Sequence, residues 1–289
     1  MKKNSMFFRI LNYPLTRIIV GISVIVAIVA IGQIGIRKLF DLFPLDRDIE
    51  KLVEGIIIAV LAIYSYILVC KFYEKRVITE ISRKQILKNL AIGMALGSVL
   101  QSLTILVIYL NGSYSVLSIN PITFIIPPLT IAFTSAIFEE ILLRGIIFRI
   151  MEERLGSYLA LGISAIIFGG MHLLNPNSSV IVGIGLAIQA GLLLGAAYIF
   201  ARNLWFPIAI HFAWNFTQAA IFGVNVSGNA ISKTLISSNI QGAKYITGGE
   251  FGPEGSIQAT LFCLTATIIL IVLSKKRGNL ISWHSKKQS

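Results

Sequence analysis

Residues 133–148 read FTSAIFEEILLRGIIF, an apolar stretch that carries two adjacent carboxylates, Glu139 and Glu140, and one cation, Arg144. An ionised side chain at bilayer depth costs several kcal/mol, so it is rarely found there without a partner or a function. The other acidic residues of the chain all fall in predicted loops or at the ends of apolar stretches. We therefore expect this segment to be a membrane helix that carries a functional site.

The composition predicts the class of protein. Of 289 residues, 55% are hydrophobic and 13% are charged, and the mean hydropathy is +0.80, more apolar surface than a globular core of this size could bury. We expect an all-α, polytopic membrane protein. The net charge of +12 comes from Lys and Arg clustered between apolar stretches, which is typical of topology signals and of contact with anionic lipid. We therefore expect the lipid bilayer, and no nucleic acid, as a partner.

The apolar stretches predict about eight transmembrane helices, since each is long enough, or nearly so, to cross the hydrocarbon. They cover residues 17–36, 53–72, 86–110, 122–150, 158–173, 180–200, 204–222 and 257–274. The whole chain, 1–289, is predicted to be one transmembrane domain with an outer loop at 223–256 and a basic cytoplasmic tail at 275–289, which includes His284. Most of the 25 Lys and Arg residues fall on one side, so the positive-inside rule predicts that both termini are cytoplasmic.

Helical phase separates the two adjacent carboxylates. Glu140 and Arg144 are four residues apart and share a helix face, where they can form an ion pair, while Glu139 points about 100° away. One carboxylate is then neutralised and the other remains available for chemistry. The structural alternative is that Glu139, Glu140 and Arg144 together form a buried clamp between helices.

Two further helices carry polar residues at the same spacing. Predicted helix five contains Phe168 and His172, and predicted helix seven contains His211 and Asn215, each pair four residues apart. Taken alone, these residues could be a hydrogen-bonded core histidine and an interhelical hydrogen-bond pair. Counted at ~1.5 Å per residue, however, they lie within about two helical turns of Glu139 in height. We therefore expect one site between helices four, five and seven.

The residue types at this site predict hydrolysis by an activated water. Glu139 and His172 can remove a proton from water. His211 and Asn215 can donate hydrogen bonds to the oxyanion that forms when water attacks a peptide carbonyl. The chain has no H-E-x-x-H or G-x-S-x-G motif and no Asp in any predicted span.

No cofactor is predicted at this site, because its spacing matches no metal motif. Zinc stays the alternative, since Glu139, His172 and His211 could supply the oxygen and the two nitrogens of a catalytic zinc site. A zinc-dependent membrane protease is therefore a second interpretation of the same residues.

These motifs resemble those of a known family. In chain order, Glu139-Glu140-x-x-x-Arg144, Phe168-x-x-x-His172 and His211-x-x-x-Asn215 are similar to the motifs of the CAAX protease and bacteriocin-processing family (CPBP or Abi), which includes the type II CAAX prenyl endopeptidases. The resemblance covers about residues 120–220. Members have been described both as metalloproteases and as metal-independent glutamic proteases, and the residues here favour the second.

The resemblance implies an intramembrane endopeptidase acting on a peptide or a membrane-anchored protein, in a bacterial cell membrane. It assigns water activation to Glu139 and His172, the oxyanion to His211 and Asn215, and structural support to Glu140 and Arg144. Phe168 belongs to the motif of His172 and counts among the supporting residues. One alternative is a bacteriocin self-immunity or scaffold protein that binds a partner without turnover. Another is a proton- or solute-coupled transporter, although the chain shows no internal repeat.

Overall fold

The computed structural model describes residues 6–42 and 45–283. Residues 1–5, 43–44 and 284–289 lie outside this range, and with them His284 and the end of the predicted basic tail. The described part of the chain is almost entirely helical. Its α-helices are α1 (Met6–Leu11), α2 (Pro14–Phe40), α3 (Arg47–Leu68), α4 (Ile86–Leu110), α5 (Ile126–Glu140), α6 (Arg149–Met171), α7 (Val180–Leu186), α8 (Leu193–Ala201), α9 (Trp205–Phe216), α10 (Lys244–Thr247) and α11 (Ile257–Lys276).

The prediction of an all-α polytopic membrane protein is confirmed. Among the described residues, six helical runs are long and apolar enough to cross a membrane: Pro14–Phe40, Arg47–Tyr73, Ile86–Leu110, Ile122–Leu174, Val180–Ala201 and Ile257–Lys276. Many large apolar side chains on these runs point outward, for example Ile31, Val60 and Ile166, which are more than half exposed. Such a surface is suited to lipid rather than to water.

The count of six differs from the predicted eight for two reasons. The fourth and fifth predicted spans form one run of 53 residues, Ile122–Leu174, without a loop between them. The seventh predicted span is the short helix α9, which continues as a π-helical turn, Thr217–Ile221. The apolar stretches were thus placed correctly, and the difference lies in how they are joined.

A break at Gly156 divides the long run into two helical segments. Gly156 has φ +75° and ψ 169°, a conformation that other residues adopt only with strain. On either side of the break the two segments pack against each other, and Phe168 lies in a buried cluster with Leu143 and Ile147. The chain therefore turns back on itself at Gly156, as two separate spans would.

Several connections meet at one end of the helix bundle. The backbone N–H of Leu204 donates to the carbonyl of Glu80, and that of Ser157 donates to the carbonyl of Ile281. Arg202 also donates to the carbonyl of Asn279. The connection after α3, the turn at Gly156, the α8–α9 connection and the segment after α11 therefore lie on the same side.

Residues 223–256, predicted as an outer loop, contain ordered structure. Strand β2 (Ile236–Ile240) pairs antiparallel with β1 (Tyr114–Ile119), which follows α4. The all-α prediction did not include this two-stranded sheet. Its pairing attaches the loop to the end of α4 and restricts where the rest of the loop can lie.

Candidate functional site

A buried ion pair lies where α5 ends. Glu140 Oε1 is 2.7 Å from Arg144 Nη1, and both side chains are at most 1% exposed. Arg144 Nη2 donates to the carbonyls of Ala190 and Gly191, at 2.7 Å and 3.1 Å. Because these carbonyls belong to the π-helical turn before α8, Arg144 joins the carboxylate-bearing helix to a neighbouring segment. π-Helical turns of this kind are frequent at functional sites.

Glu140 also contacts His211, a partner that the sequence did not indicate. The Nδ1 atom of His211 lies 3.2 Å from Glu140 Oε1. An ionised carboxylate only accepts hydrogen bonds, so Nδ1 must carry the hydrogen. The other ring nitrogen, Nε2, is 4.0 Å from Glu139 Oε2. His211 thus stands between the two adjacent carboxylates, fixed by one and close to the other.

His172 is oriented by the helix that carries it. Its Nδ1 atom lies 2.9 Å from the carbonyl oxygen of Phe168. A carbonyl can only accept, so Nδ1 donates, and in the neutral ring the lone pair is on Nε2. The ring stacks on Phe168, with 4.5 Å between centroids and an angle of 21° between the planes. Phe168 also lies 5.2 Å from the Arg144 guanidinium, so it packs between the ion pair and His172.

Close helix packing sets the position of the segment before His172. A Cβ atom on Gly169 would lie 2.2 Å from the carbonyl oxygen of Gly183 in α7, whereas one on Gly170 would meet nothing within 4 Å. Of the two adjacent glycines, only Gly169 is required for the approach of α6 to α7.

The four residues predicted to be catalytic line one cavity of about 600 Å³. They are Glu139, His172, His211 and Asn215. Glu139 is partly accessible, with 27% of its side chain exposed. Three separate helical segments supply these residues, as the sequence predicted, and α6 ends at Met171, directly before His172. Their chemical roles stay predictions.

The loop after α9 adds a carboxylate to this cavity. Glu254 is 4% exposed and lines the cavity, although the sequence placed it in an outer loop without a role. Its Oε2 accepts a hydrogen bond of 2.6 Å from the backbone N–H of Ser227. Burial raises the pKa of the Glu254 carboxyl, against the hydrogen bonds from Ser227. The proximity of Glu254 to the site could not be read from its position in a Gly-rich connection.

Hydrogen bonds hold this loop against the segment that follows His172. Asn175 Nδ2 donates to the carbonyl of Ser227 at 2.9 Å. Gln189 Nε2 donates to the carbonyl of Glu254 at 2.7 Å. Asn175 and Gln189 also line the cavity, and the sequence had singled out neither of them. The loop is therefore one wall of the site.

The side chains that could bind a metal ion are spread over the cavity. Within residues 6–42 and 45–283, no group of three or more His, Cys, Asp or Glu side chains is placed as a metal ion would require. Glu139, His172 and His211 share the cavity but do not form such a group. A metal-free site stays a prediction, and chelation can test it.

Comparison with known proteins identifies the region that carries these residues. Residues 121–217 match the family model described as "Type II CAAX prenyl endopeptidase Rce1-like". The match covers about a third of the chain and includes Glu139, His172, His211 and Asn215. The resemblance to the CAAX protease and bacteriocin-processing family is thereby confirmed. No curated protein and no solved structure shows significant similarity to the chain.

Proposed function

Taking the Rce1-like region at residues 121–217 as the premise, we propose that the chain is an intramembrane endopeptidase that hydrolyses a peptide bond with an activated water. The observation that carries the proposal is the shared cavity, because it brings a carboxylate, two imidazoles and an amide into one space. A cavity of about 600 Å³ is also within the usual size of a ligand site.

Glu139 and His172 would activate the water. The Nδ1–H of His172 is engaged by the Phe168 carbonyl, which leaves the Nε2 lone pair to accept a proton. The water oxygen then forms a bond to the carbonyl carbon while its proton passes to Nε2 or to the Glu139 carboxylate. When the carbon–nitrogen bond breaks, the same groups return a proton to the leaving amine.

His211 and Asn215 would stabilise the oxyanion. Because Nδ1 of His211 donates to Glu140, its Nε2 carries a hydrogen only in the doubly protonated ring. In that form Nε2–H and the Asn215 amide can both donate to the developing negative charge. Loss of one such donor typically lowers kcat by about 10²–10³-fold.

Replacement of Glu139 tests this mechanism. The purified full-length protein is incubated with a library of bacterial peptides, and new peptide ends are identified by mass spectrometry. Glu139→Gln should lower cleavage at least about 100-fold while the melting temperature is preserved, because the amide cannot take the proton from water. Glu250→Gln is the matched control, since Glu250 is an exposed carboxylate that does not line the cavity. Full activity of Glu139→Gln would contradict the proposal.

We propose a bacterial cell membrane as the location, with both termini in the cytoplasm and a peptide or membrane-anchored protein as substrate. Support for this orientation comes from the end of the bundle where Arg76, Arg149 and Arg202 lie with the segment after α11, since basic residues favour the cytoplasmic side. Reporter fusions after residue 283 and within residues 241–243 should report opposite sides.

A further inference from the structure

The loop contributes one buried carboxylate, Glu254, to the wall of the cavity. Glu254 accepts from the backbone N–H of Ser227 at 2.6 Å, and its other oxygen lies 3.4 Å from the Ser227 hydroxyl. Ser227 has φ +50°, which is uncommon for a residue other than glycine and places strain at this contact. Two carboxylate oxygens can accept about four hydrogen bonds, so Glu254 keeps capacity for further donors.

Gln189 adds a second acceptor to the same wall. Its side chain is 3% exposed, and its Nε2 donates to the Glu254 carbonyl at 2.7 Å and to Thr260 Oγ1 at 2.8 Å. With both amide hydrogens used, its Oε1 is left as an acceptor and receives no hydrogen bond from the described residues. A buried acceptor without a donor costs free energy, so a ligand whose donor group reaches Oε1 on binding would be stabilised by this contact.

The charge of the cavity also favours a ligand that donates hydrogen bonds. Two carboxylates, Glu139 and Glu254, line it, and no Lys or Arg does so within the described part of the chain. Arg144, a buried guanidinium that packs on the lining residue Phe168, is neutralised by Glu140. With both carboxylates ionised and His172 neutral, as its role as a base requires, the cavity stays negative even when His211 is protonated, because two carboxylates outnumber one imidazolium. This contrasts with a chain whose net charge is +12.

We propose that Glu254 and Gln189 form a binding site for a cationic side chain, Lys or Arg, of the substrate peptide. The inference rests on the proposed peptidase function and adds a substrate class to it. An ammonium offers three donors and a guanidinium five, and neither accepts, so both complement the acceptors of Glu254 and Gln189. A charge-assisted hydrogen bond to Glu254 would also offset the cost of burying its carboxylate.

The test uses one fixed peptide sequence in which a single Lys or N-acetyl-Lys occupies each position in turn. Acetylation keeps the length of the side chain and removes its charge. Binding to the full-length protein is measured by the shift in melting temperature with peptide concentration, and cleavage is followed by mass spectrometry. At one position, Lys should bind about tenfold or more tightly than N-acetyl-Lys, as expected for a hydrogen bond to a charged group.

Variants then assign the preference to Glu254. Glu254→Gln should bring the Lys to N-acetyl-Lys ratio close to one, and Glu254→Asp, which keeps the charge, should retain most of it. Glu250→Gln, which changes an exposed carboxylate of the same loop, should leave the ratio unchanged. A ratio that survives Glu254→Gln would overturn the assignment.

The wild-type protein alone can also overturn the inference. Equal binding of Lys and N-acetyl-Lys peptides at every position would contradict it, even if Glu254→Gln fails to fold. Preferential binding of a Lys peptide without cleavage of any peptide would support the cationic site and contradict the peptidase function. Cleavage without a Lys preference would support the peptidase function and contradict the cationic site.

Discussion

The Nδ1 atom of His211 lies 3.2 Å from Oε1 of Glu140, although 71 residues separate these side chains along the chain. The same oxygen is 2.7 Å from Arg144 Nη1. One carboxylate oxygen thus fixes a cation of its own helical run and an imidazole of α9. Glu140 does not line the cavity, so we expect it to act through His211 rather than on the substrate.

Glu140→Gln should separate kcat from KM. The amide removes the negative partner of His211, so kcat should fall at least about tenfold, the worth of a hydrogen bond to a charged group. KM should stay near the wild-type value, because Glu140 is outside the cavity. Steady-state kinetics on a peptide identified with the wild-type protein checks both values.

The matched control is Glu152→Gln, which breaks the buried ion pair with Arg202 away from the cavity. It should lower the melting temperature without lowering kcat. Wild-type kcat in Glu140→Gln would show that Glu140 does not position His211.

Gly169 and Gly170 should respond differently to the same substitution. Gly169→Ala puts a methyl group against the carbonyl of Gly183 and should destabilise the fold by about 1–3 kcal/mol. Gly170→Ala meets open space and should be neutral or stabilise by up to about 1 kcal/mol, since Ala favours the helix. Unfolding in mixed micelles measures both, and equal effects would contradict the close approach of α6 to α7.

Glu80 should make the fold sensitive to acid. Burial alone would raise the pKa of this loop carboxyl, but hydrogen bonds from Arg76 and Tyr66 outweigh it and lower the pKa to about 2. A pKa below the unfolded value of about 4.5 stabilises the fold at neutral pH, and this contribution is lost as pH falls from about 4.5 towards 2.

Unfolding measured between pH 6 and 3 should therefore show a fall in stability of about 2 kcal/mol. Glu80→Gln should be less stable at pH 6 and should depend less on pH. If the stability of Glu80→Gln depends on pH as that of the wild type does, Glu80 is not the acid-sensitive group. Glu50→Gln, at a carboxylate without a described ion pair, is the control.

Chelation should leave peptidase activity intact. The expectation follows from the chemistry of Glu139 and His172, which can activate water without a Lewis acid. Cleavage is measured after dialysis against EDTA and 1,10-phenanthroline, beside a zinc protease as a positive control. Activity that is lost and then restored by Zn²⁺ would assign the same residues to a metal site.

The parts of the site that could be predicted from sequence are those governed by local geometry. The spacing of Glu140 and Arg144, and of Phe168 and His172, fixes which side chains share a helix face, and both pairs are in contact. Hydrophobic length also located the membrane segments, because burial in lipid requires it. Such rules act within one helix, and the sequence carries them directly.

The contacts that could not be predicted join distant segments. The approach of His211 to Glu140 depends on how α9 packs against α5, which no spacing rule gives. The loop that carries Glu254 is held by the pairing of β2 with β1 and by the hydrogen bond from Asn175 to the Ser227 carbonyl. A stretch rich in Gly, Ser and Asn has no hydrophobic period, so its composition was interpreted as that of a solvent-exposed loop.

The reversal at Gly156 sets the alignment of the two halves of the site. Arg144 and Phe168 are equally far from Gly156 along the chain. The reversal therefore brings the Arg144 guanidinium against the Phe168 ring. One residue added between Gly156 and Phe168 would rotate His172 by about 100° and move it by ~1.5 Å. The His172 imidazole would then point away from the cavity that Glu139 also lines. Homologues that keep this chemistry should therefore keep the glycine at the position of Gly156 and the number of residues between Arg144 and Phe168, while the other residue types there vary.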